Sequence, residues 1–267
     1  ESFPNSDDYK KILNLRFTRH IDEFSVSEDN DVPYKNLLAS MPDNSMLNYL
    51  FAKSLLMKVI NFRSNDRKKD IIDLENALKK SILLNPKNPL PYALLGLIKE
   101  GHTLANFDTD LGKQRSNATK YVEKAIELGP ENMEALYYSG KFYRIIGNFS
   151  KAIKLFEKAI EIAPFGPEEI RINLVSTHLA NFDFDKASQI ATSLLNQGDK
   201  RSVFIGSMFL IYIKAKTGEI KDAKNDFKII LDKYNYTKEA ALYQIRRYSP
   251  GTWTWISSEF KSTMDNL

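Results

Sequence analysis

Between Met133 and Gly166, apolar residues recur every three or four positions in two runs that a short polar break separates. This spacing places the apolar side chains on one face of a helix and differs from the alternation of a strand. Gly147 and Asn148 form the break, as is typical of a helix C-terminus. Pro164 ends the second run, because proline disrupts a helix interior. The stretch therefore predicts two helices joined by a tight turn.

Small residues of this hairpin stand where its two helices would touch, and large residues surround them. The small positions are Gly140, Ala152 and Ala159, and the large ones are Leu136, Tyr143 and Phe156. Together with Pro164, this order resembles the tetratricopeptide repeat (TPR), a helix–turn–helix unit of about 34 residues, and in particular its bacterial type. One such unit cannot bury its apolar face alone, so we expect neighbouring copies.

Weaker copies of the pattern precede and follow this stretch. The resemblance implies an all-α fold, a right-handed α-solenoid of about five TPR-like units with capping helices at both ends. We expect an N-terminal helical cap over residues 1–43, an array over 44–236 and C-terminal capping helices over 237–267. The expected units are 44–88, 89–132, 133–167, 168–203 and 204–236.

The first two expected units are longer than the family's repeat. The additional residues lie around 61–67 in the first unit and 102–114 in the second, in both cases between the paired helices. Two explanations are open: loops that project from one edge of the stack, or helices that are longer by several turns.

Composition narrows the classes of function. Hydrophobic residues make up 43% of the chain and charged residues 27%, which is ordinary for a soluble globular protein. No apolar run is long enough to insert into a membrane, and no signal-peptide pattern is present. The net charge is +4 with scattered basic residues, so we expect no nucleic-acid partner. With no cysteine, disulfide and thiol chemistry are excluded.

Candidate chemistry is sparse, so we expect no catalytic residue, metal or cofactor. His20 and Glu23 have a metal-compatible spacing but lack a second pair. His102 together with Asp108 and Asp110 could bind a cation, but these residues lie in an expected loop. The stretch 96–103 imitates a phosphate-binding loop, but a histidine replaces its lysine and it follows a helix rather than a strand.

In the family that the sequence resembles, the first helix of each unit lines a concave groove. Carried over, these positions predict a peptide-binding groove of Leu94, Leu97, Tyr137, Tyr138, Lys141, Arg144 and Asn173. Tyrosines favour interfaces, and the Lys, Arg and Asn side chains can hold a carboxylate or peptide carbonyls. The family's chaperone-tail clamp is not expected, because Ala93 and Leu97 replace its Lys and Asn. Alternatively, Leu94 and Leu97 are covered by residues 102–114 or by the N-terminal segment, and Tyr137 packs on a neighbouring helix.

The sequence thus predicts a non-catalytic scaffold or adaptor that binds a protein or peptide segment on its concave face. An alternative is a soluble sensory, regulatory or assembly module of a larger bacterial cell-envelope protein, since the chain begins at Glu1 and residues 163–168 loosely resemble envelope-associated members of the family. The expected location is then the cell envelope, and otherwise the cytoplasm. The apolar face of residues 253–264 either seals the stack or mediates homo-oligomerisation.

Overall fold

The computed structural model describes residues 32–60, 64–100, 111–197, 200–242 and 262–267. Helices and short turns make up this part of the chain, and it contains no strand. The helices are α1 Val32–Ser40, α2 Ser45–Ile60, α3 Arg67–Leu84, α4 Pro89–Lys99, α5 Leu111–Leu128, α6 Met133–Ile145, α7 Phe149–Ile162, α8 Glu168–Ala180, α9 Phe184–Gln197, α10 Lys200–Lys216 and α11 Ile220–Tyr234. Short helical segments follow at 238–242 and 262–265. The predicted all-α fold is confirmed.

The helices pack in consecutive pairs, α2 with α3, α4 with α5, α6 with α7, α8 with α9 and α10 with α11. First helices of neighbouring pairs also touch, as α4 does with α6 and α8 with α10. Each pair therefore buries its apolar face against the next one, which is how a solenoid builds a continuous core from units that are unstable alone.

Small residues set the separation of the paired helices, as their positions in the sequence predict. A Cβ atom on Gly140 would lie 2.7 Å from Cε1 of Phe156. On Gly96 it would lie 2.4 Å from Cγ2 of Val122 and 2.9 Å from the carbonyl oxygen of Ala118. These distances are shorter than van der Waals contact, so a side chain at either glycine would push the two helices apart.

Asparagine and aspartate side chains begin several of the helices. Asn132 accepts a hydrogen bond from the backbone N–H of Ala135, and Asn148 accepts one from that of Lys151. Asp66 caps α3 in the same way. These side chains satisfy N–H groups that the first helical turn leaves without intrahelical partners. The turns between helices are therefore encoded locally, next to the apolar runs.

The first pair is longer than the third pair. Helices α2 and α3 have 16 and 18 residues, whereas α6 and α7 have 13 and 14. Helix α5 of the second pair also has 18 residues. Longer helices therefore account for part of the additional sequence in the first unit, whereas in the second unit the long α5 is offset by the 11-residue α4. Residues 61–63 and 101–110, where projecting loops were the alternative, lie outside the described residues.

Both ends of the array carry apolar contacts. Tyr34 of α1 is buried in the core that runs through α2 to α8, and Met264 is fully buried in a second cluster with residues of α8 to α11. The described end of the C-terminal segment thus packs against the array. Residues 1–31 of the expected N-terminal cap and residues 253–261 of the expected C-terminal apolar face lie outside the described residues. Among the described helices, none combines the length and the apolar character that crossing a bilayer requires.

Candidate functional site

A cleft of about 300 Å³ lies where α6 and α8 begin. Its apolar lining comes from the first turns of three first helices, namely Leu90 of α4, Met133 of α6 and Ile170 of α8, with Pro167 just before α8. The repeat brings these turns together because every first helix of the stack begins at the same edge.

Tyr137 and Tyr138 form the aromatic wall of this cleft. Their ring centroids lie 5.3 Å apart, and the planes are tilted by 46°. Tyr138 is 7% exposed, whereas Tyr137 is half-buried. The ammonium of Lys141 lies 5.3 Å from the centroid of the Tyr137 ring, a distance at which a cation and an aromatic face attract. The structure thus brings three of the predicted groove residues together.

The carboxylates of the cleft are held by neighbouring helices. Oε1 of Glu134 accepts hydrogen bonds from the hydroxyl of Tyr49 at 2.8 Å and from Nζ of Lys53 at 2.9 Å. Oε1 of Glu169 lies 2.5 Å from Nη1 of Arg201. The polar wall is therefore a set of ion pairs that fixes α2 to α6 and α8 to α10 around the cleft.

Arg144 and Asn173 lie between α6 and α8 rather than on an open face. Arg144 is 6% exposed and Asn173 is 8% exposed. Nη1 of Arg144 lies 3.4 Å from Oγ of Ser176, and burial lowers the pKa of Arg144 to about 10. Nδ2 of Asn173 donates to the carbonyl oxygen of Glu169 at 2.7 Å. The Asn173 side chain is therefore hydrogen-bonded to the backbone of its own helix, and Arg144 is a buried cation.

Leu94 and Leu97 do not contribute to an open groove. Leu94 is fully buried and Leu97 is 6% exposed, and both belong to the main core. The expectation that they line an accessible surface is therefore corrected. The reason is that α4 is apolar on nearly all sides, and a helix of that kind lies inside the protein. The alternative that these leucines are covered matches their burial. The side chains of residues 102–114, one of the two expected covers, are outside those that the structure describes.

Comparison with known proteins agrees with this arrangement. The family model of the tetratricopeptide repeat matches residues 133–165, the hairpin whose small and aromatic positions form the tight seam. The chain thus contains a tetratricopeptide repeat, and its stack of helix pairs has the fold of TPR proteins. Proteins of this family are in general interaction modules that use the extended surface of the stack.

Solved structures resemble this TPR protein over most of its length. A thermophilic TPR protein from Thermus thermophilus is 16% identical, with a TM-score of 0.61 over 76% of this chain and 99% of that one. PilW, a type IV pilus biogenesis factor, is 14% identical, with a TM-score of 0.61 over 91% of this chain and 98% of its own. PilF of Pseudomonas aeruginosa is 14% identical, with a TM-score of 0.53 over 97% of each chain. At such low identity, these likenesses show the shared fold alone.

Sequence reasoning missed much of the cleft of this TPR protein. Lys53, Met133, Pro167 and Ile170 line it but do not stand at the groove positions of their units. Met133, Pro167 and Ile170 lie at or near the first turn of a first helix. The capping residue Asn132 marks the start of α6 in the sequence and could have pointed to this end of the helix. Within the described part of the chain, no group of three or more His, Cys, Asp or Glu side chains could hold a metal ion.

Proposed function

We propose that this TPR protein is a non-catalytic scaffold that binds a segment of another protein in the cleft at Tyr137 and Tyr138. The proposal rests on one observation: an apolar floor and two tyrosine rings line the same cleft. Tyrosine supplies a large contact area together with a hydroxyl, and it is enriched in protein interfaces.

The size of the cleft indicates how such a segment is held. A volume of about 300 Å³ is at the lower end of ligand pockets and suits one or two side chains rather than a folded domain. A segment would therefore insert an apolar or aromatic anchor between Tyr137 and Ile170, and would continue along the half-buried Lys141 on α6. This is the anchor-and-groove mode in which stacked helices bind peptides.

The test uses a cleft variant with a matched control. Tyr137→Ala with Lys141→Glu removes one ring and reverses one charge, and both side chains are half-buried. Tyr121→Ala with Lys120→Glu makes the same changes on α5, at residues that do not line the cleft. Segments captured by the wild-type chain from its native host are synthesised, and their binding to each purified variant is measured by calorimetry.

We expect the cleft variant to bind the captured segment about tenfold more weakly or worse, since anchor residues dominate such interfaces, and the α5 variant to bind as the wild type does. Equal affinities of the cleft variant and the wild type would remove the cleft from consideration. Charge reversal at Lys141 and Arg144 together, which the sequence alone suggests as a test, is less suitable, because Arg144 is buried and a carboxylate there would oppose folding.

A second candidate function is assembly in a bacterial cell envelope. It is supported by the likeness in fold to PilW, a type IV pilus biogenesis factor, which extends over 91% of this chain. The alternative predicts that the native protein sediments with the envelope fraction of its host and is released by salt or detergent. Recovery of all the protein in the cytosolic fraction would contradict it and would leave the scaffold proposal intact.

A further inference from the structure

Phe165 is a fully exposed aromatic residue at the tip of the tight turn between α7 and α8. The backbone N–H of Gly166 closes this turn with a hydrogen bond of 2.8 Å to the carbonyl oxygen of Ala163, and Pro164 and Pro167 stand within it. Each proline fixes its own φ, so the turn has little conformational freedom to lose when it is bound. The turn therefore presents an apolar side chain in a rigid setting.

The two preceding turns of the same kind have a charged residue at the tip. Turns 85–88 and 129–132 close with the equivalent hydrogen bond, at 3.1 and 3.0 Å. Their tip residues are Lys87 and Glu131, and both are exposed. A charged side chain is well hydrated at such a point, whereas a phenyl ring in water is unfavourable. Since the Phe165 ring buries almost nothing within its own chain, internal packing does not explain it.

A single exposed apolar side chain is common in proteins, but Phe165 stands beside a cleft that suits its kind of side chain. Glu131, at the tip of the preceding turn, and Pro167, two residues after Phe165, both line that cleft. The cleft has an apolar floor and an aromatic wall, with a volume of about 300 Å³. The ring of Phe165 does not occupy its own cleft, because it is fully exposed. One edge of the stack thus carries both an aromatic tip and an apolar recess.

We propose that the Phe165 turn, residues 163–167, inserts its ring into the cleft of a second copy of this chain. This goes beyond the proposed function, because the occupant is another copy and not a different protein. Since the turn and the cleft share one edge, a two-fold rotation brings each turn to the other copy's cleft, and the assembly closes as a dimer. The exposed Phe182 follows α8, at the opposite edge. Insertion of that residue would instead give an open chain of copies.

The charges of the turn and the cleft are complementary. The Phe165 turn contains no charged residue. The charged residues that line the cleft are three glutamates and one lysine, namely Glu131, Glu134, Glu169 and Lys53. The cation held against the turn is Arg171, whose Nη2 donates a hydrogen bond to the carbonyl oxygen of Pro164. A docked turn therefore brings a guanidinium to the rim at Glu131, which pairs with Lys158 and remains 73% exposed.

The area of this contact makes the dimer weak. Each phenyl ring buries about 150–250 Å², and the two clefts lose a comparable area. The total stays below the roughly 1,200 Å² at which stable complexes begin, in the range of transient contacts. The copies therefore exchange readily, and a segment of another protein that fits the cleft displaces the turn.

Sedimentation velocity of the full chain tests the dimer, at concentrations from about 10 µM to about 1 mM, where contacts of this size associate. We expect the wild type to shift from monomer to dimer over this range and Phe165→Ser to associate about tenfold more weakly or worse. Phe182→Ser is the matched control and should associate as the wild type does, since its ring is also exposed. A wild type that stays monomeric throughout, or Phe165→Ser that dimerises normally, would overturn the inference.

Nitroxide labels locate the contact, and the absence of cysteine in the chain allows labelling at single sites. Chains labelled at Glu161→Cys, near the Phe165 turn, are mixed with ¹⁵N-labelled wild type. We expect broadening of the amide resonances of Tyr137 and Ile170, and none from a label at Asp185→Cys on the opposite edge. Both labelled positions are exposed. Broadening confined to residues 163–167 would show that two turns meet each other, and broadening at another surface alone would show a different dimer. Either result contradicts insertion into the cleft.

Competition separates this inference from the proposed function. The captured segment is expected to dissociate the dimer, and Phe165→Ser to bind the segment at least as tightly as the wild type, because no turn competes. Weaker binding by Phe165→Ser would place the ring in the segment's own site and overturn the inference, as would a dimer that holds the segment in its clefts. If the wild type binds the segment in the cleft but never dimerises, the inference fails and the proposed function stands. If the copies dock at the cleft and no segment binds there, the proposed function fails and the inference stands.

Discussion

The hydroxyl of Tyr49 donates a hydrogen bond of 2.8 Å to Oε1 of Glu134, a residue 85 positions later in the chain. The same oxygen accepts from Lys53 at 2.9 Å. Tyr49 lies on α2 and Glu134 on α6, so this contact joins the first helix of the first pair to that of the third. Burial raises the pKa of Tyr49 well above its usual value, and the charge of Glu134 raises it further. The phenol therefore remains a proton donor.

We predict that Tyr49→Phe lowers the free energy of unfolding by about 1–2 kcal/mol, because a buried hydrogen bond to a charged group is lost. Denaturation by urea measures the change. Tyr234→Phe is the matched control, since its hydroxyl donates to the carbonyl oxygen of Lys200 at 3.2 Å in an exposed setting. If the free energy of unfolding falls equally in both variants, the contact between α2 and α6 does not stabilise the fold more than an exposed hydrogen bond does.

Gly140→Ala is expected to lower the free energy of unfolding by about 1–3 kcal/mol, the usual range for overpacking a tight core. Its new methyl group would meet the ring of Phe156, which is a side chain that can be shortened. Adding Phe156→Leu should therefore restore part of the loss relative to Phe156→Leu alone. Denaturation of the four proteins forms a double-mutant cycle, and additive changes would contradict the predicted contact.

The same substitution at Gly96 should resist such a rescue. A methyl group there would lie 2.9 Å from the carbonyl oxygen of Ala118 as well as against Val122. Shortening Val122 to alanine removes one obstacle and leaves the backbone in place. We expect Gly96→Ala to remain destabilising with Val122→Ala present, as thermal unfolding would show. A recovery as large as that at Gly140 would be inconsistent with the backbone contact.

Phe182→Gly is expected to raise the free energy of unfolding by about 0.5–1 kcal/mol, since a left-handed backbone strains any residue with a Cβ. Phe182 has φ 58°, and the turns before α7 and α11 place Gly147 and Gly218 at φ 80° and 96° in the equivalent position. The ring is 62% exposed, so little burial is lost. Gly147→Ala should change stability in the opposite direction. Destabilisation by Phe182→Gly in urea would show that the ring contributes more than the strain.

The carboxylate of Glu75 predicts a pH dependence. Burial alone would raise its pKa, but hydrogen bonds from Lys79 and Lys99 lower it below the usual value near 4.5. A carboxyl group whose pKa is lower in the folded chain stabilises the fold above its unfolded pKa, and this contribution is lost as pH falls through the folded value. Glu75→Gln should therefore lose about 0.5–1.5 kcal/mol at neutral pH, and the difference from wild type should vanish in acid.

Urea denaturation from neutral pH down to about pH 3, below the usual carboxyl pKa, measures this difference. Glu127→Gln is the control, because the pair of Glu127 with Lys124 is largely exposed and pairs of that kind contribute little. A constant gap between Glu75→Gln and the wild type over the whole range would show that the ionised form of Glu75 is not what stabilises the contact between α3 and α4.

The fold was predictable because the decisive signals are local. Gly140, Ala152 and Phe156 lie within one hairpin, and the cap at Asn148 lies between its helices. The start of α10 was less clear. The helix begins at Lys200, before the expected start near Phe204, and Gly206 lies within it, where a Cβ atom would be 2.9 Å from the carbonyl oxygen of Ala191. Nothing in the repeat pattern marks that glycine as a contact.

The site was predictable only in part. Tyr137, Tyr138 and Lys141 come together because they are neighbours on one helix. The burial of Leu97 and Arg144 depends on what covers that face, and the contact of Tyr49 with Glu134 depends on the curvature of the whole stack. Positions counted within single units contain no information on either. Contacts that cross two units therefore required the structure.

Helices α2 and α3 are longer than α6 and α7, and this inequality has a consequence for any extended molecule laid along the array. Identical units would offer the same contacts at every repeat, so a bound segment could shift by one repeat without losing any contact. Unequal units remove that degeneracy. We therefore expect a segment bound along this chain to adopt a single register.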